Sequence, residues 1–277
     1  MISSEAYAQA RLEFEALIRK HAPERFHSQL IDSLLPTIGL STAPCDDTQI
    51  PIGASKFGGG ADVPIGFEWP VWKEKSLGFV GQINLEEIAP FDIEQTLPQS
   101  GILAFFVLFD EWNRIVGIPE QREGWRVFFY ENHPLQRVEP PADSHWIVPL
   151  YTQRIKSCAS WTIEDLDLDW SEEEWFNFEW EVLSQIKHQM GGHPLAPQLS
   201  PFIIAENGSR GVNDFDLYQE NKEDIESSEW KLLLQVDTDA EGFFEDIYGM
   251  GWFYFMIKGQ DLKNLDFSKV WFNEQGT

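Results

Sequence analysis

Basic residues are scarce in this chain: 20 Lys and Arg stand against 46 Asp and Glu, a formal net charge of −26. So acidic a surface repels phosphate backbones and anionic headgroups, so neither nucleic-acid binding nor adsorption to a membrane is expected. Cysteine is nearly absent, with Cys45 and Cys158 alone. The fold therefore needs no disulfide framework, and a reducing cytoplasmic setting is the expectation. Long apolar runs are missing too. The longest, Gly101 to Phe109 (GILAFFVLF), falls far short of the ~20 residues that cross a bilayer. The N-terminal stretch MISSEAYAQARLEFEALIRKHA lacks the basic start and unbroken apolar centre of a secretory leader.

Several catalytic signatures are also missing. Gly58-Gly59-Gly60 is not followed by the Lys-Ser/Thr of a phosphate-cradling loop. No GxSxG elbow places a nucleophilic serine, and the six histidines form no HExxH pair. With 46 carboxylates, spacing along the chain identifies no acid/base pair, so no catalytic residue is assigned.

What is present is a large apolar and aromatic complement. The hydrophobic share of 43% and the charged share of 24% are those of a folded globule, and 12 Trp with 21 Phe supply the core. Tyr7, Leu12, Phe14, Leu17 and Ile18 recur near helical spacing until Pro23. A second helix is predicted from Glu24 to Leu35, ended by Pro36. From about Ile50 short apolar runs alternate with Gly, Pro, Asn and Asp, the pattern of strands and turns. Strands are expected over Leu77–Ile83, Ile102–Phe109, Trp125–Tyr130, Trp146–Tyr151, Phe202–Ala205, Trp230–Val236, Trp252–Ile257 and Lys269–Phe272. A helix is expected between Ser171 and Met190, where Ser171 and Glu174 fit a capping box and Gly191-Gly192 supply the stop.

An internal echo organises the rest. Phe57-Gly58-Gly59, with Pro64 five residues on, recurs as Met190-Gly191-Gly192 with Pro197 at the same offset. FVGQIN, ending Gln82-Ile83-Asn84, recurs as LLLQVD, ending Gln235-Val236-Asp237, and each is followed by Gly and an apolar run. The expected fold is α+β and mainly antiparallel β, built from two similar halves by internal duplication. It comprises an N-terminal helical hairpin over 1–45, halves over 46–155 and 156–277, and one acidic helix between them. If the echoed elements line a cleft, Gly58, Gly59, Gln82, Asn84, His188, Gly191, Gly192, Gln198, Gln235 and Asp237 are candidates to hold a polar ligand, with Trp69 or His193 stacking on it. The alternative is that these amides tie down the glycine loops, since buried polar groups are mostly satisfied internally. Asp237, Asp239 and Glu241 precede Gly242 like the front of a calcium loop. The closing position is Tyr248, so an acidic turn is the simpler reading and no cofactor is required.

The blocks SKFGGGADVPIGFEWP (55–70), LGFVGQINL (77–85), HQMGGHPLAPQ (188–198), LLLQVDTD (232–239) and DLKNLDFSKV (261–270) resemble the YwqG-like family of bacterial proteins, a domain of unknown function. The resemblance spans about residue 50 to the C-terminus. It implies an α+β fold without established enzymatic activity, and an immunity role against secreted toxins has been proposed for similar members. One departure is Ile247-Tyr248-Gly249, where members often carry Trp-Gly-Asp.

The last region of interest is Ser157 to Ile186. It holds Glu164, Asp165, Asp167, Asp169, Glu172, Glu173, Glu174, Glu179 and Glu181 without one Lys or Arg, interleaved with Trp161, Trp170, Trp175, Phe176, Phe178 and Trp180. One reading is a solvated helix whose aromatics are core. The other is a binding face in which Trp170 and Trp175 anchor a basic protein and Glu172, Glu173 and Glu174 steer it. The leading expectation is a non-enzymatic protein-binding module, concretely an immunity protein for a basic toxin, with a small-ligand or calcium-binding protein as the alternative.

Overall fold

The computed structural model describes residues 2–108, 114–131, 133–144, 152–185, 187–213, 229–238 and 251–276. The chain opens with helix α1 (Ile2–His21), which ends before Pro23, a residue with no N–H to continue it. A 3-10 turn (Glu24–Phe26) leads into α2 (His27–Asp32). Tyr7, Phe14 and Ile18 form the buried stripe of α1, continued by Ala22 just past its end, whereas Leu12 faces solvent. The second helix is shorter than its sequence pattern suggested. Residues 35–44, assigned from sequence to the helical hairpin, form instead the strand β1 (Leu35–Pro44), at the centre of the sheet. The reason lies in the residues: Pro36 and Pro44 cannot sit inside a helix, and Gly39 disfavours one.

The remaining strands in chain order are β2 (Lys56–Phe57), β3 (Ala61–Pro64), β4 (Val71–Trp72), β5 (Lys75–Ser76), β6 (Gly78–Asn84), β7 (Ile102–Val107) and β8 (Trp125–Tyr130). They continue with β9 (Leu135–Val138), β10 (Gln153–Thr162), β11 (Gln189–Met190), β12 (Trp230–Asp237), β13 (Gly251–Lys258) and β14 (Trp271–Gly276). Ten of them form one antiparallel sheet in the order β14-β13-β12-β11-β1-β10-β2-β6-β7-β8. Strands β1 and β10 pair along their whole length, from Leu35 opposite Thr162 to Pro44 opposite Gln153. Two short pairs, β3 with β9 and β4 with β5, stand apart.

The sheet curls until its two ends meet, giving a near-barrel. Trp125 of β8 packs edge-on against Trp271 of β14 with ring centroids 5.3 Å apart, and its indole N–H donates to the Val270 carbonyl. Phe105 of β7 and Phe255 of β13 touch across the interior at 4.9 Å. One large apolar core fills the curl. A second joins α1 and α2 to Phe178, Val182 and Leu183.

Among the described residues, four further short helices are α3 (Leu85–Ile88), α4 (Glu172–Glu181), α5 (Pro201–Ser209) and α6 (Gly259–Lys263). Two corrections follow. Phe202–Ala205, expected as a strand, lies in α5. Pro201 at the first turn after Ser200 is a helix start, and an apolar run this short does not separate helix from strand. The helix expected to reach Met190 stops at Glu181, because Gln189–Met190 is extended and pairs with β1 and β12. The strand expected at Trp146–Tyr151 lies outside the described residues.

Candidate functional site

The two Gly-Gly turns sit on either side of the central β1–β10 pair. Gly58, Gly59, Gly191 and Gly192 all have φ between 66° and 71°, a left-handed conformation that side chains resist. Space is also short at the second glycine of each turn, though not at Gly191, where a Cβ would meet nothing within 4 Å. A Cβ on Gly59 would lie 2.6 Å from the Thr152 hydroxyl and 2.7 Å from the Asp47 carboxyl, and one on Gly192 would lie 2.9 Å from Thr37 Cβ.

The bonds that hold the turns correspond one to one. Gln82 accepts from the Asp62 backbone N–H (2.9 Å) and donates to the Ala54 carbonyl (2.9 Å). Gln235 accepts from the Leu195 backbone N–H (2.9 Å) and donates to the Lys187 carbonyl (3.4 Å). The Asn84 N–H donates to the Ser55 hydroxyl (2.8 Å), as the Asp237 N–H donates to His188 Nδ1 (3.1 Å). The Gly60 N–H meets Asp47 (3.1 Å), as the His193 N–H meets the Thr162 hydroxyl (2.8 Å). Lys56 lies opposite Gln82 in the sheet, as Gln189 lies opposite Gln235. Both long strands, β6 and β12, carry a register shift just before that Gln.

The chemistry of the two sets differs. Around the first turn the groups are charged. Lys56 is fully buried and donates to Asp47 at 2.6 Å; Arg137 grips Asp62 with two N–H donors at 2.8 and 3.1 Å. Burial would raise the Asp62 carboxyl, but Arg137, the Gly53 N–H, Lys56 and Gln82 outweigh it and hold it below the usual carboxylate range. Burial lowers Lys56 against the opposing pull of Asp47 and Asp62. Around the second turn the matching positions are Thr162, Gln189 and Leu195, all neutral. His188, buried against Phe57 with rings 5.1 Å apart, is pulled down to about 3 by burial and by Lys187. It is a neutral acceptor for Asp237.

The sequence-predicted ligand residues therefore group around two turns, with their amides committed to the backbone. Asn84 also donates to the Gly53 carbonyl and caps α3 through the Glu86 N–H. Trp69 donates to the Leu77 carbonyl and packs on Phe67 and Phe106, within the first half. Gln198 reaches the other way and ties the second loop to the Gly276 carbonyl of β14. Asp239 and Glu241 lie outside the described residues. Among the described residues, no three His, Cys, Asp or Glu side chains stand together as a metal would require.

The acidic helix α4 divides the predicted partner residues. Glu174 is committed internally: it completes the capping box with Ser171 and takes two bonds from Arg25, at 2.9 and 2.6 Å. The hydrogen bond from Arg25 holds its carboxyl down at about 2. Trp170 is wedged between Phe26 (4.7 Å) and Phe178 (4.9 Å) as core. Glu172, Glu173 and Trp175 are exposed. The residues that sequence reasoning left out of the face are Phe176 and Trp180, each 67% exposed and one helical turn apart on the side opposite buried Phe178. Sequence alone offered no cue, because aromatics at helical spacing ordinarily point inward.

A curled antiparallel sheet with mixed strand and helix defines an α+β protein whose distinctive parts are two glycine turns and one acidic, aromatic helix. A family model described as a domain of unknown function (DUF1963) matches residues 55–275, and the chain belongs to that family. No curated protein matches it. The matched span begins after β1, the strand on which the second turn rests. No described helix is long and apolar enough to cross a membrane.

Proposed function

We propose that this protein works by binding a basic protein partner through the outer face of α4. The observation that carries the reading is the pair Phe176 and Trp180, two large aromatics held in water among Glu172, Glu173 and Glu179. Buried, each ring would release a large apolar area, and aromatic anchors of this kind supply most of the energy at interfaces. The carboxylates set the sign of the partner: with no Lys or Arg between Ser157 and Ile186, long-range attraction favours a cationic surface. Arg25 and the capping box fix the helix, so the face is preorganised. A basic toxin, with the protein acting as its immunity partner, is the form suggested by the YwqG-like resemblance.

The matched bonds around the two turns also support reading the halves as copies of one unit. With β1 opening one unit and β10 the other, a boundary shifted from that read in the sequence, the copies would interlock, because β1 pairs with β11 and β10 pairs with β2. Capture at low salt, compared between the native chain and Phe176→Ala/Trp180→Ala, tests the binding reading. A basic protein retained by the native chain and lost by the variant is expected; equal capture by both would reject the α4 face.

A further inference from the structure

The two halves differ in what covers the sheet beside the turns. In the first, Phe67 and Trp69 lie over Phe106, with ring centroids 5.9 and 5.3 Å away. By sheet register, Gly81 faces Phe105 and Leu234 faces Phe255, so Phe106 and Val107 correspond to Met256 and Ile257. Ile257, the counterpart of Val107, lines a cavity of about 390 Å³ beside the second turn, whose walls come also from Tyr7 of α1, from β1 and from the first-half segment around Phe91 and Glu94. That is within the range of about 300–1,000 Å³ occupied by small-molecule sites.

Its floor is apolar, with Ile38, Met190, Leu232, Ile203 and Leu262 buried there. The wall includes the Gly191-Gly192 turn and His193, whose ring burial keeps below its usual pKa against the pull of Glu164. At the exposed rim stand Glu94, Glu164 and Asp165 against one base, Lys231. The wall is firmly held: the Tyr7 hydroxyl sits 2.9 Å from the Thr37 carbonyl and 2.8 Å from that of Phe91. The Thr37 hydroxyl in turn reaches the Met190 and Gly191 carbonyls at 3.0 and 2.9 Å.

We propose that this cavity is a binding site for a small organic cation, an apolar body seated on the floor and an ammonium group at the acidic rim. The apolar floor selects the body, and the excess of carboxylates selects the charge. A carboxylate of the same shape meets Glu94, Glu164 and Asp165 and is repelled. The site is separate from the outer face of α4, and neither proposal requires the other.

The test is calorimetric titration of the full chain with three compounds sharing one body: 4-phenylbutylamine, 4-phenylbutanol and 4-phenylbutanoate. The amine should bind about ten-fold or more tightly than the alcohol, the scale of one charge-assisted contact. The carboxylate should bind weakest. Glu164→Gln/Asp165→Asn, at exposed positions, should reduce the amine to the level of the alcohol. Ala196→Trp, placed on the cavity wall and checked by thermal melting, should abolish binding of all three. Phe176→Ala/Trp180→Ala should change none of these affinities. Equal affinity for amine and carboxylate, or no binding of the amine, would overturn the proposal.

Discussion

The first and second turns share a backbone and differ in what surrounds it. The first is locked by four charges, Asp47, Lys56, Asp62 and Arg137, drawn from far along the chain. The second does the same geometric work with Thr162, Gln189 and Leu195. The comparison teaches that the fold requires the glycines and the Gln, whereas the charges are one of two ways to fill the space. It also separates a closed half, where Phe67 and Trp69 cover Phe106, from an open half that carries α4 and whose turn adjoins the cavity, which Phe91 and Glu94 of the first half help to wall.

The largest effect should come from breaking the charged lock at one point. Asp62→Leu, which copies Leu195, takes from Arg137 the carboxylate it grips with two donors, while Lys56 keeps its bond to Asp47, and should cost roughly 3–5 kcal/mol in denaturant melts. Exchanging the whole set, with Asp47→Thr, Lys56→Gln, Asp62→Leu and Arg137→Leu together, should recover most of that loss. A neutral lock of matched volume is often as stable as a charged one. If the quadruple variant is as unstable as the single one, the two turns are not interchangeable.

Next come the buried amides. Gln82→Ala should cost about 2–3 kcal/mol and Gln235→Ala about 1–2 kcal/mol, because each strands buried partners and Gln82 also donates to Asp62 at 2.8 Å. The reverse order would show that the second turn, not the first, holds the sheet together.

A pH series sharpens the contrast between halves. The Asp62 carboxyl lies below its unfolded value of 3.8 in the folded protein, so its contribution is complete above that value. It fades as pH falls through the folded value. The stability gap between the native chain and Asp62→Asn should therefore be constant near neutrality and close below about pH 4. Gln235→Ala should show no such closing. The smallest effect on folding should come from α4: Phe176→Ala and Trp180→Ala should each shift stability by no more than about 0.5 kcal/mol, as surface changes do.

Much of this architecture was legible in the residues. Apolar runs bounded by turn residues marked β6, β7, β8, β12 and β13. The paired Gly-Gly and Gln motifs marked the turns, because glycine adopts successive left-handed residues without the steric cost that a Cβ brings. The central strands were not legible. Leu35–Pro44 and Gln153–Thr162 mix Pro, Gly, Ser and Lys with few apolar residues, and their partners lie far away in sequence. The charged lock was hidden for the same reason: Asp62 and Arg137 meet across 75 residues without a spacing rule. On α4 the capping box was readable, but which aromatics faced outward was not, since that depended on where α1 and α2 docked.

Association kinetics test the central claim, that the open half binds a cationic partner through α4, most directly. The measurement is the association rate of the captured basic protein across a salt series, with the native chain and with Glu172→Lys/Glu173→Lys/Glu179→Lys. Glu174 is left intact to keep the helix cap and its bond to Arg25. The account predicts slower association and a flatter salt dependence for the variant, with unchanged melting. Identical rates and slopes for the two chains would contradict it.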